Sequence, residues 1–118
     1  MTLNNLVDEA HDCAVEKGFW DETTATASTV ALSKLALIHS EVSEALEEVR
    51  KPRPDLFLVR DGKPEGVLVE LADVVIRVAD LVGYYNDLHS PLAFDFDAIV
   101  KAKMEFNETR PMKHGKVL

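Results

Sequence analysis

Apolar residues recur at helical spacing in four stretches of the chain. The first runs from about Leu3 to Lys17, where Leu3, Leu6, Val7, Ala10, Cys13 and Ala14 share one face and Gly18 offers a C-terminal stop. A short Ser/Thr-rich link, Asp21 to Thr29, follows without the composition shift of a domain boundary. The second stretch runs from about Ser28 to Arg50, with a seam of Leu35, Ile38, Val42, Ala45 and Val49, and stops before Pro52 and Pro54. Residues 55 to 63 (DLFLVRDGK) predict an extended excursion with an Asp61-Gly62 turn, and Pro64 is placed as the first residue of a third helix reaching about Tyr85. Val67, Leu68, Leu71, Val74, Val75, Val78, Leu81 and Val82 cover more than half of that helix, so it belongs at the centre of the molecule. Its Val and Ile content would also suit a strand, but its length and charge spacing favour a helix. A fourth helix starts at Asp95 or Asp97, both good N-caps, and ends near Glu108, ahead of Pro111. The tail RPMKHGKVL has no periodicity. The pattern predicts one all-α domain over residues 1–118, a four-helix bundle followed by a tail at 109–118.

Composition narrows the classes. The chain has 118 residues, 47% of them hydrophobic, and one cysteine, which excludes a disulfide scaffold and a largely disordered chain. Its apolar stretches are broken by charge before the roughly 20 residues a membrane span needs, and its first residues do not form a signal peptide. A cytoplasmic setting is expected, or the host cytoplasm if the chain is phage-encoded. The net charge of −8 is uneven: residues 1–100 carry 8 Lys/Arg against 19 Asp/Glu, and residues 101–118 carry 5 against 2. An acidic body with a basic tail argues against stable nucleic-acid binding. It is compatible with a small, highly charged ligand held between cations and carboxylate-bound metal, although charge alone favours an ordinary solvated surface.

The acidic residues carry the candidate chemistry. At 100° per residue, Glu41, Glu44 and Glu48 share one flank of the second helix, while Glu47 points away from the apolar seam. On the third helix Glu70, Asp73, Arg77 and Asp80 form one stripe on an otherwise apolar surface. Two such helices packed through their apolar faces bring the stripes to a common edge, where the carboxylates repel unless neutralised. All-oxygen ligands suit Mg²⁺, with Mn²⁺ as a substitute, rather than zinc or copper. For the acidic pairs Glu9/Asp12 and Glu105/Glu108 a solvated helix face is the preferred reading. A di-iron bundle is disfavoured, because no Glu is followed three residues later by His.

The segments LIHSEVSEALEEVR, ELADVVIRVADL and KMEFNETRPMKHGK resemble the MazG-like branch of the all-α nucleoside triphosphate pyrophosphohydrolases. The family pattern, Glu-Glu-x-x-Glu followed by Glu-x-x-Asp, is matched by Ser40-Glu41-x-x-Glu44 and Glu70-x-x-Asp73. Asn107-x-x-Arg110 and His114-Gly115-Lys116 add to the match. The resemblance implies Mg²⁺-dependent cleavage of a nucleoside or deoxynucleoside triphosphate to monophosphate and pyrophosphate, in control of nucleotide pools. It implies Glu41, Glu44, Glu70 and Asp73 as metal ligands, with Glu41 and Glu44 also catalytic. It further implies a homodimer or dimer of dimers and, by analogy with phage relatives, purine deoxynucleotides such as dGTP. One departure stands at Ser40, where the family has the first Glu of its doublet; Glu47 and Glu48 are the candidates to replace it. Phosphoribosyl-ATP pyrophosphohydrolase shares the acidic motifs and is the enzymatic alternative. A non-catalytic helical interaction module is the alternative of another class.

The remaining candidates would bind substrate. Lys103, Asn107 and Arg110 lie 4 and 3 residues apart on one side of a helix end, and with the resemblance they join His114 and Lys116 as phosphate-binding residues, against a merely solubilising tail. Trp20 is either a packed aromatic or a stacking platform for a base. His39, beside the acidic motif, is either a further substrate contact or an ordinary surface histidine. The apolar excess of the third helix, together with Leu56-Phe57-Leu58-Val59, predicts an oligomer.

Overall fold

The computed structural model describes residues 2–21 and 26–112. Four helices appear where the periodicity places them: α1 (Leu3–Glu16), α2 (Ala27–Val49), α3 (Val67–Leu88) and α4 (Phe96–Glu108). Between α2 and α3 lies a two-stranded antiparallel hairpin, β1 (Leu58–Arg60) and β2 (Lys63–Glu65). The protein is thus mostly helical, with one small sheet. No described helix is long and apolar enough to cross a membrane.

Local chemistry explains most of the boundaries. Thr2, Thr26 and Asp95 each accept a backbone N–H in the first turn of the helix they precede. Asp97, the other candidate N-cap of α4, instead accepts the N–H groups of Leu3 and Asn4, so it caps α1. Asn4 returns the contact, accepting the Phe96 N–H at 2.8 Å and donating to Asp95 at 2.9 Å. This reciprocal pairing ties the start of α4 to the start of α1.

Pro64 is not the first residue of α3. Asp61 and Gly62 both have positive φ, 53° and 78°, the two-residue turn whose twist matches a hairpin. Residues 63–65 therefore fold back on 58–60, with Pro64 opposite Val59. In such a hairpin the pair flanking the turn exchanges hydrogen bonds and the next pair does not, so Pro64 sits where no N–H is needed. The first turn of α3 has no side-chain cap. The carbonyls of Asp55 and Leu56 take the N–H groups of Val67 and Leu68, both at 2.9 Å. That approach requires glycine at position 66, because a Cβ would lie 2.6 Å from the Leu56 oxygen.

As the apolar pattern requires, α3 is central and packs along both α1 and α2, while α4 leans on α1. The core is small. Val7, Ala10 and Ala79 form its centre, flanked by Leu6, Val82 and Phe96. Where α1 crosses α3, Gly83 lets the His11 side chain approach the α3 backbone. Much apolar surface stays open in the single chain: Val42, Leu46 and Val49 on α2, and Leu68, Leu71 and Val75 on α3, are each about half exposed. The accessible surface is 9024 Å², against about 6,400 Å² for a compact monomer of 13.1 kDa.

Candidate metal centre

The packing of α2 on α3 brings two helical stripes together. Glu41 and Glu44 lie one turn apart on α2, and Glu70 lies in the first turn of α3. Carboxylate oxygens of these three residues lie within 4.8 Å of one another. Glu41 is buried, Glu70 half-buried and Glu44 exposed at the edge. Two carboxylates at that separation repel by about 3 kcal/mol at an effective dielectric of 20, before solvent screening. Burial, and then the charges of Asp73, Glu44, Glu48 and Glu41, push the Glu70 carboxyl above its ordinary range.

One cation answers part of this charge. Arg77 Nε donates to Glu41 Oε1 at 2.6 Å. Glu70 Oε2 is enclosed and has no hydrogen-bond partner among the described residues. A buried carboxylate oxygen without a donor is costly unless a cation takes the place. The three-carboxylate cluster, all oxygen donors with one left unsatisfied, fits a hard divalent cation such as Mg²⁺ or Mn²⁺.

Asp73, the fourth expected ligand, lies outside the group of three. It lines the adjoining cavity with Glu41 and Glu44, and its charge acts on Glu70. The cavity holds about 400 Å³ between α1, α2 and α3. The carboxylates and Arg77 form its polar side, and Ala10, Ala14, Phe19 and Ile76 its apolar side. A charged end joined to an apolar wall is the usual build of a small-molecule site. No family model, curated protein or solved structure matches the chain.

The other sequence candidates are scattered. His39 and Ser40 are exposed and do not line the cavity. Glu47 pairs with Arg50 at 3.3 Å on the outer surface. Glu48 pairs with Lys51 at 2.7 Å and shares a second depression with Glu70. Lys103 and Arg110 stand over the Phe106 ring at the far end of α4, and neither they nor Asn107 line the cavity in one chain. His114 and Lys116 fall outside the described residues.

Trp20 is not an open platform. Its ring stacks on Tyr84 at 4.7 Å, Lys34 Nζ lies 4.1 Å from its centre, and its N–H donates to Asp80 at 2.9 Å. The polar handle of an indole needs a partner when packed, and Asp80 supplies it. Phe19, its neighbour, is the aromatic that reaches the cavity.

A second cluster was not foreseen from the sequence. His11 is buried between two carboxylates, with Nδ1 2.7 Å from Asp80 and Nε2 2.7 Å from Asp87. Donation from both nitrogens requires the imidazolium. Burial opposes that charge, but the bonds to Asp80 and Asp87 outweigh it, and the pKa rises above 6.5. The signal was present in the pattern: His11 shares the inward face of α1 with Val7, Ala10 and Ala14, and Asp80 and Asp87 stand seven apart on α3.

Proposed function

We propose that the chain is a Mg²⁺-dependent nucleoside triphosphate pyrophosphohydrolase of the MazG-like kind, releasing pyrophosphate and leaving the monophosphate. The observation that carries this is the meeting of Glu41, Glu44 and Glu70 within 4.8 Å, with Glu70 Oε2 enclosed and unsatisfied and with Glu41 and Glu44 also lining a cavity of about 400 Å³. A triphosphate cannot approach such a cluster bare, because like charges would meet. A divalent cation held by Glu41, Glu44 and Glu70, with Asp73 one turn along α3, would neutralise the cluster and polarise the phosphate oxygens.

The chain's own groups divide the remaining work. Arg77 fixes the Glu41 carboxylate. Glu44, the exposed carboxylate of the cluster, would take the proton of the attacking water in this proposal through the oxygen not bound to the cation. Water adds to the phosphorus, the α–β anhydride bond breaks, and pyrophosphate leaves. With Mg²⁺ and a panel of ribo- and deoxyribonucleoside triphosphates plus phosphoribosyl-ATP, pyrophosphate release from at least one triphosphate is expected. Folded protein that turns over none of the panel with Mg²⁺ or Mn²⁺ rules the proposal out.

The working form is an oligomer in this account. The excess of about 2,600 Å² per chain over a compact monomer of this mass is enough for an obligate dimer, which buries about 1,000–2,500 Å² of each partner. The exposed apolar strips of α2 and α3 lie on helices that also carry the acidic cluster. Lys103, Asn107 and Arg110 serve phosphate only if a neighbouring subunit brings them to the cavity. Light scattering at low micromolar concentration is expected to show a dimer or larger. A stable, active species of 13.1 kDa contradicts this.

A further inference from the structure

Asp80 belongs to the same α3 stripe as Asp73 and Arg77, but not to the carboxylate cluster. It lines the cavity seven residues beyond Asp73, about 10.5 Å along the helix axis at 1.5 Å per residue. Its side chain is 13% exposed. Its Oδ1 is pinned twice, by the Trp20 N–H at 2.9 Å and by His11 Nδ1 at 2.7 Å. Its Oδ2 has no hydrogen-bond partner among the described residues.

A carboxylate oriented by two donors on one oxygen presents the other as a fixed acceptor. The wall beside it is apolar and includes one aromatic ring, Phe19. With phosphates at the Glu41–Glu44–Glu70 end, the span to Asp80 is about the reach of a nucleoside monophosphate from phosphate to base edge.

We infer that Asp80 is a specificity residue that accepts a hydrogen bond from the exocyclic amino group of adenine or cytosine, so that the site prefers these bases over guanine, uracil, thymine and hypoxanthine, which carry a carbonyl at that place. This rests on the nucleotide function proposed above and names the substrates within it. A carbonyl at the place of the amino group would set oxygen against oxygen and strip water from a carboxylate without replacing it. A charged hydrogen bond of this kind is worth about a 10- to 100-fold preference.

The test is calorimetric binding of two matched pairs of monophosphates, dCMP against dUMP and dAMP against dIMP, in Mg²⁺. Each pair exchanges an amino donor for a carbonyl acceptor. The amino member is expected to bind about 10- to 100-fold more tightly. In Asp80→Asn the Trp20 N–H holds the amide oxygen at the Oδ1 position, so the amide nitrogen replaces Oδ2 and now donates. The preference should reverse towards dUMP and dIMP. Equal affinities within both pairs, no binding of any of the four, or an unchanged preference in a folded Asp80→Asn protein would each overturn the assignment. The comparison within wild type needs no variant to fold. Turnover without base discrimination defeats the Asp80 assignment alone. Discrimination without any triphosphate turnover supports it and defeats the hydrolase proposal.

Discussion

Glu70→Gln is expected to remove hydrolysis and to raise the melting temperature of the metal-free protein. Glu70 is the carboxylate with an enclosed, unpartnered oxygen, and burial and four neighbouring carboxylates push its pKa up. Glutamine keeps the shape, removes the charge and places N–H donors among carboxylate oxygens. One new satisfied hydrogen bond in place of repulsion is worth about 1 kcal/mol to the metal-free fold. Cation binding loses a direct ligand. Even partners of ligands cost about 10- to 100-fold when mutated, so a loss of at least about 100-fold in turnover is expected. Circular dichroism should show unchanged helicity. A fully active Glu70→Gln protein removes the site as drawn. The opposed signs matter: a merely structural glutamate would lose stability on substitution, and a solvated one would change nothing.

Gly83→Ala is expected to destabilise the fold through the crossing of α1 and α3. A Cβ at position 83 would stand 2.4 Å from His11 Cβ and 2.6 Å from its Cγ. His11 Cβ is fixed by the α1 backbone and its Cγ is held by the ring's bonds to Asp80 and Asp87, so the crossing of α1 and α3 must open. Alanine gains about 1 kcal/mol of helix propensity over glycine. Overpacking a close crossing costs about 1–3 kcal/mol, and more where the neighbour cannot yield. With no flexible atom available to move, the clash wins. A net loss of about 1–2 kcal/mol lowers the melting temperature by roughly 4–8 °C. It also draws His11 away from Asp80 and Asp87. A melting temperature equal to or above wild type would show that the crossing is looser than described.

The helices were legible because their signals are local. Asp95 acts within three residues of itself and the apolar seams need only the 3.6-residue period, whereas the caps Thr2 and Thr26 emerge only in the structure. The hairpin was half legible: the Asp61-Gly62 turn was found, but Pro64 fits both a helix start and a strand position that needs no N–H, and only pairing with Val59 decides it. The stripes were legible too, since Glu41, Glu44 and Glu48, and then Glu70, Asp73, Arg77 and Asp80, follow from helical geometry, while the selection of Glu41, Glu44, Glu70 and Asp73 comes from the resemblance. The degree to which they converge was not. Glu70 joins Glu41 and Glu44, while Asp73 sits one turn along and Arg77 claims Glu41, which depends on how α2 is set against α3. The His11 cluster spans 69 and 76 residues of sequence, and no local pattern specifies which carboxylate a buried histidine meets. Trp20 shows the same limit: its aromatic character was plain, but Tyr84 and Asp80 decide that it packs.

The central claim is that the carboxylates of Glu41, Glu44 and Glu70 form a divalent cation site. Calorimetric titration of Mn²⁺ into the protein, with Glu70→Gln as the comparison, tests it most directly. Saturable binding is expected for wild type, with about 2.7 kcal/mol of added stability at a hundred times the Kd; in Glu70→Gln the affinity is expected to fall at least about tenfold, which cuts that gain to about 1.4 kcal/mol or less at the same concentration. No saturable heat and an unchanged melting temperature in wild type, or equal binding by both proteins, would contradict it.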